Sequence, residues 1–330
     1  DIDGTLTITS GGIYDANGAF DATGGTIAQA GTSRLQMSGT VTGLGSNLDA
    51  SAGTVEYDGG AQDVFVDDYY HLVISGGATK TLGGTTNVGG DLTVTATGTI
   101  LDVNTRTMDV NGTSAISSSG KVTISTGTYD ADGIMNCTAS LEFTDAGSLN
   151  LSNTVTDLGT FTKGTSTVTY DEADAQAVDN VDYHHLVISG GATKTLGGTT
   201  NVGGDLTVTA TGTILDVNTR TMDVNGTSAI SSSGKVTIST GTYDADGIMN
   251  CTASLEFTDA GSLNLSNTVT DLGTFTKGTS TVTYDEADAQ AVDNVTYHHL
   301  IIDQNGTKTA AGDLDIDGNL TFTNSATLDM

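Results

Sequence analysis

The segment His71–Val181 occurs a second time, unchanged, as His185–Val295, displaced by 185 − 71 = 114 positions. Identical sequences must fold alike, so the architecture has to accept tandem repetition of one unit. Both flanks are diverged copies of that unit. The run TVEYDGGAQDV around Val55 matches TVTYDEADAQAV around Val168, and the closing TKTAAGDLDIDGNLTFTNSATLDM matches TKTLGGTTNVGGDLTVTATGTILDV. The opening DIDGTLTITSGGIYDANG continues where that end leaves off, like the stretch from Asp109. The chain therefore reads as one continuous solenoid over 1–330, made of three repeats at about 1–108, 109–222 and 223–330. Length alone would suggest two or three domains, but stacked repeats share a core.

Inside a copy, short runs such as KVTIST, SLEFTD, STVTYD and HHLVIS alternate apolar and polar residues with period two. Rich in Val, Ile, Thr and Tyr, they read as strands. Gly, Asn and Asp between them read as turns with positive φ. Boundaries near Asp91, Thr113, Ile134, Thr154 and Ala175 give coils of roughly 20–24 residues, the scale of one solenoid turn. No segment keeps an apolar i, i+3, i+4 stripe, which excludes helix. The expected fold is all-β, a parallel β-solenoid (β-helix) of about 14–15 coils, with tandem β-sandwiches as the alternative. Val122, Ile124, Phe143, Val168, Tyr170, Leu186 and Ile188 are expected on stacked parallel strands with alternating burial.

Forty acids against ten bases give a net charge of −30. Such a surface repels phosphate backbones and anionic membranes, so neither nucleic acid nor membrane insertion is expected. No apolar run reaches the length of about 18 residues that a membrane span needs. No signal peptide is visible, and a chain opening at Asp1 rather than Met reads as a mature product or a piece of something longer.

The motif YHHLVISGGATKTLGG, followed by NVGGDLTV and TILDVN, resembles the repeat units of large bacterial surface proteins and adhesins, of the kind seen in gliding and biofilm-forming bacteria. Tyr183, His184, His185, Leu186, Ile188, Lys194 and Leu206 carry the match. The resemblance covers nearly the whole chain, but its motifs are structural. It implies a parallel β-helix, export to the cell surface, and attachment or scaffolding, and it brings no catalytic residue with it.

Candidate sites are few. D-x-D-G or D-x-N-G recurs at Asp1, Asp15, Asp109, Asp130, Asp223, Asp244 and Asp315. Asp and Asn before Gly commonly satisfy a turn through their own side chains. Stacked coils would also align carboxylates, which makes Asp130, Asp132, Asp244 and Asp246 candidate ligands for a structural calcium, although neither the EF-hand nor the GGxGxDxUx pattern is met. Cys137 and Cys251 are repeat equivalents, placed several coils apart and too far for a disulfide. The pairs His184–His185 and His298–His299 are adjacent, so on a strand they would face opposite sides and could not share a metal. Tyr70 replaces the first His in the earlier copy. Arg34, Arg106 and Arg220 are the only arginines. An active site should break repeat symmetry, and the unchanged segment leaves little room for one, so no catalysis and no required cofactor are expected. Thr93–Thr95 and Thr105–Thr107 raise an ice-binding ladder, but the pairs do not recur on every coil. Sequons stand at Asn111, Asn136, Asn150 and Asn294.

These readings converge on an extracellular structural repeat protein that forms a stiff rod, filament, stalk or sheath at the cell surface. The alternative is an adhesin module binding glycans or a partner surface along the solenoid face. Neither end reads as a cap, so the expected partners are copies of itself stacked end to end, or further repeats of the same chain.

Overall fold

The computed structural model describes residues 1–44, 48 and 51–330. Among these, every regular element is a strand and every pairing is parallel. The chain is an all-β solenoid of about 16 coils of roughly 20 residues. A sandwich requires antiparallel hairpins, so that alternative is excluded. The residues group into two compact units, Asp1–Ser166 and Thr167–Met330.

In the first unit, one ladder runs through Ile13–Ala16, Arg34–Met37, Thr54–Tyr57, His71–Ile74, Leu92–Val94, Ser114–Ile116, Met135–Cys137 and Val155–Asp157. A second runs from Gln62–Val64 through Lys121–Ile124 to Thr160–Thr162, and a third contains Thr86–Val88, Thr107–Val110 and Thr128–Ala131. In the second unit, a seven-stranded ladder runs from Thr200–Val202 to Leu320–Phe322, and a six-stranded one from Gln176–Val178 to Thr274–Thr276.

Period-two alternation decides which side chains enter the core. In Lys121–Ile124, Val122 and Ile124 are buried while Lys121 and Thr123 are half-exposed; Thr167–Tyr170 and His185–Ile188 repeat that pattern. In-register pairing then stacks like on like: Leu72 on Leu92, Val122 on Leu141, Ile124 on Phe143. Each fully buried Val, Leu, Ile or Phe contributes about 1.5–3 kcal/mol relative to exposure.

The coils are shorter and more numerous than the sequence rhythm suggests. Val55 pairs with Leu72, only 72 − 55 = 17 positions on, whereas Leu92 pairs with Ser114. The short coil is closed by a tyrosine pair. Tyr57 and Tyr69 are fully buried, edge to face, with their hydroxyls 2.9 Å apart. Tyr170 with Tyr183, and Tyr284 with Tyr297, do the same at 2.8 Å.

The glycine of the D-x-D-G motif also works differently from the expected turn. Gly112 and Gly133 do not adopt positive φ. They are required because coils touch there: a Cβ on Gly133 would stand 1.9 Å from the carbonyl oxygen of Gly112. Positive φ is instead used at corners such as Gly190 and Gly191, and even by Ala210 (φ 76).

Three lysines lie wholly inside. Lys194 is in phase with Leu196 on Thr193–Leu196 and has no solvent exposure. Its ammonium donates to the carbonyl oxygens of Glu172 (2.6 Å), Gly191 (2.6 Å) and Asp174 (3.2 Å). Lys80 donates likewise to Gly59, Ser75 and Gly77, and Lys308 to Glu286 and Asp288. Corner carbonyls that no strand can satisfy thus acquire a donor, which is what makes burying the charge tolerable.

Candidate functional site

Some aspartates cap turns, as Asp157 does for the Gly159 amide, but the first aspartates of the repeated motifs stand in outward columns. In the first unit Asp68, Asn87, Asp109, Asp130 and Asn150 stack in register; in the second, Asn201, Asp223, Asp244 and Asn264 do. Asn interrupts the like charges and bonds its neighbours: Asn87 Nδ2 donates to Asp68 Oδ1 at 2.6 Å, and Asn201 Nδ2 to Asp182 Oδ1 at 2.8 Å. Where two carboxylates are adjacent, repulsion remains. The Asp244 carboxyl is pushed above its usual range by burial first, then by Asp246, Asp223 and Asp285, against a hydrogen bond with Asn264. Asp109 is raised by burial and Asp132, and Asp223 by burial and Asp246.

Of the calcium candidates, Asp130 and Asp244 occupy half-buried strand positions, while Asp132 and Asp246 are exposed in the corner that follows. The structure brings Asp244, Asp246 and Asp223 within electrostatic reach of one another. Among the described residues, no group of three or more His, Cys, Asp or Glu side chains is spaced to hold a metal ion.

The paired histidines do not face opposite sides. The rings of His184 and His185 meet edge to face with centroids 4.4 Å apart, and those of His298 and His299 at 4.3 Å. His184 and His298 lie in the bend just before the strand, where strand alternation does not yet apply. His185 Nδ1 accepts the backbone N–H of Asp205 at 2.9 Å, as His71 Nδ1 accepts that of Asp91 at 2.8 Å. In the neutral ring this leaves Nε2 carrying the hydrogen. Cys137 and Cys251 are free and buried, and burial pushes each thiol up to about 11, which suppresses the reactive thiolate. Thr93 stacks between Val73 and Ala115, so it belongs to no threonine ladder.

The repeat is broken at Glu56, which sequence reasoning passed over. Glu56 is buried although it is out of phase with the core residues Val55 and Tyr57. Its Oε2 accepts from Arg34 Nη1 (2.9 Å) and Gln36 Nε2 (2.7 Å), and its Oε1 from Ser75 Oγ (2.7 Å). Beside this network is a groove of about 250 Å³ lined by Arg34, Thr54, His71, Val73, Asp91 and Thr93. The signal available in the sequence was the separation of Arg34 and Glu56, 56 − 34 = 22 positions, about one coil.

Scans of protein-family models, curated proteins and solved structures each find no match to this chain. The stacked parallel coils place the chain in the class of parallel β-solenoid repeat proteins.

Proposed function

We propose that this chain is a structural spacer of the extracellular surface, a run of stacked coils that serves as rod, stalk or sheath, with no catalytic role. The observation that carries the reading is the recurrence of the same internal supports, the buried lysine and the tyrosine pair, at Lys80, Lys194 and Lys308 and at Tyr57, Tyr170 and Tyr284. Selection for a coil that repeats without change, outward-facing Thr, Ser, Asp and Asn, and strong negative charge suits a soluble scaffold that does not stick sideways. The resemblance to bacterial surface and adhesin repeats points the same way.

Its proposed partners are further coils of the same kind, from this chain or another copy. Leu320 and Phe322 are 42% and 50% exposed. Their counterparts Leu206 and Val208 are fully buried under the next coil. Electron microscopy and light scattering of the 330-residue chain test this. Threads lengthening with concentration are expected; dispersed single particles at every concentration would count against it. A glycan-binding role along the solenoid face is favoured by one observation, the groove at Arg34.

A further inference from the structure

We propose that the groove of Arg34, Thr54, His71, Val73, Asp91 and Thr93 binds a neutral sugar unit through a pair of neighbouring hydroxyls. The proposal deepens the glycan-binding alternative and does not depend on the spacer role. The groove arises where two outward columns run side by side. Arg34, Thr54 and His71 stack in register with Asp91 following, and next to them stand Gln36, Glu56, Val73 and Thr93. In the second unit the corresponding columns read Ser262, Thr281, His299, Asn319 and Asn264, Thr283, Ile301, Thr321. The coil stacks there without an arginine or a buried glutamate, so folding alone does not call for Arg34 and Glu56.

What those two residues add is a pre-set donor. Glu56 is held by three hydrogen bonds, and through one of them it fixes the Arg34 guanidinium at the groove. Among the described residues Arg34 makes no other ion pair, which leaves Nε and Nη2 as donors. A site whose ligand-facing group is held from behind loses little entropy on binding. His71 contributes Nε2–H, because its Nδ1 is engaged by the Asp91 amide. The Asp91 carboxylate accepts, and the Thr54 and Thr93 hydroxyls do both.

The charge balance selects the ligand. Glu56 offsets Arg34, and Asp91 remains, so the groove is mildly negative and an anion is disfavoured. With Val73 the only apolar wall, a lipid or aromatic ligand has nothing to bury against. Adjacent donors and acceptors match a vicinal diol, whose hydroxyls each give one hydrogen and accept another.

Saturation-transfer NMR of the full chain against cellohexaose, xylohexaose, mannohexaose and a β-galactan oligomer, with oligogalacturonate as the acidic arm, tests the proposal. Arg34→Ser introduces the residue already present at Ser262 and is expected to keep the wild-type circular dichroism and melting profile; Glu56→Thr, patterned on Thr283, removes the acceptor of Gln36 and Ser75 and is expected to keep the β-signal with a lower Tm. The expected result is binding of at least one neutral oligosaccharide. Arg34→Ser should weaken it about tenfold or more, the size of a lost charge-assisted hydrogen bond, and Glu56→Thr should weaken it less. Binding of oligogalacturonate alone, or of no sugar at tens of millimolar, would overturn the proposal. Undiminished neutral-sugar binding by a folded Arg34→Ser variant would also overturn it, while leaving glycan binding elsewhere on the coil standing.

Discussion

Tyr170 donates its phenolic hydrogen to the hydroxyl of Tyr183 across 2.8 Å, and Tyr183 passes its own to the carbonyl of Asp179. The direction follows from the second bond, since Tyr183 has one hydrogen and gives it to that carbonyl; the Asp179 amide in turn donates to the Tyr170 oxygen. Two buried hydroxyls and both backbone groups of one corner are thereby satisfied in a closed relay. Tyr170→Phe removes the acceptor for the Asp179 amide, at a cost of about 1–3 kcal/mol. Hydrogen exchange at that amide should accelerate by roughly ten- to a hundredfold, and an unchanged rate would show that the pair does not hold the corner.

The same burial makes the fold sensitive to alkali. Burial raises the pKa of Tyr57, Tyr129, Tyr170, Tyr243 and Tyr284 well above the usual phenol, and burial also leads the rise at Tyr69, Tyr183 and Tyr297. An unfolded tyrosine loses its proton near pH 10 while the folded one keeps it. The unfolded state therefore binds fewer protons above that pH, and stability falls as pH rises. Each tyrosine contributes a loss of about 1.4 kcal/mol per pH unit beyond 10. Phenolate absorbance and circular dichroism followed from pH 9 to 13 should change together, abruptly, for the buried set. Gradual ionisation with the β-signal retained would contradict the relay.

The buried lysines are predicted to matter far more than exposed ones. Lys194→Met leaves the carbonyls of Glu172, Asp174 and Gly191 without their donor, and should destabilise by roughly 3 kcal/mol or more. Lys235→Met removes only a part-exposed pair with Glu256 at 2.9 Å, and should cost about 0–1 kcal/mol. Thermal melts of the two variants side by side check this, and equal losses would refute the cage.

Calcium is the fourth test. Burial and then the charge of Asp246 hold the Asp223 and Asp244 carboxyls above their usual range, so a divalent cation near them relieves repulsion that sodium only screens. Millimolar CaCl₂ should raise Tm more than NaCl of matched ionic strength, and Asp244→Asn should abolish the difference. Equal effects of the two salts would leave these aspartates as surface columns only.

The strands were legible in the sequence because period-two alternation and burial are the same fact: Val122 and Ile124 face in for the reason they alternate with Lys121 and Thr123. Parallel stacking was legible from identity at a fixed shift. The buried Lys194 was readable in principle, since it shares the phase of Leu196, but two of its three carbonyls come from Glu172 and Asp174 on the preceding coil, and no local pattern announces them. The role of Gly133 was misread for the same reason, because its constraint comes from Gly112 on the adjacent coil rather than from its own turn. Arg34 and Glu56 meet only once the coil length is known, and the closeness of Asp223, Asp244 and Asp246 shows only once the coils are stacked.

The carbonyl cage around Lys194 draws its oxygens from Glu172, Asp174 and Gly191 alone, all within a short stretch of one copy. Unequal crossing-over between the identical segments would add or remove 114 codons in frame. The product would keep every such cage intact, because none straddles a distance longer than about one coil. Length in this protein is therefore a trait that a genome can change in whole increments without relearning how to fold.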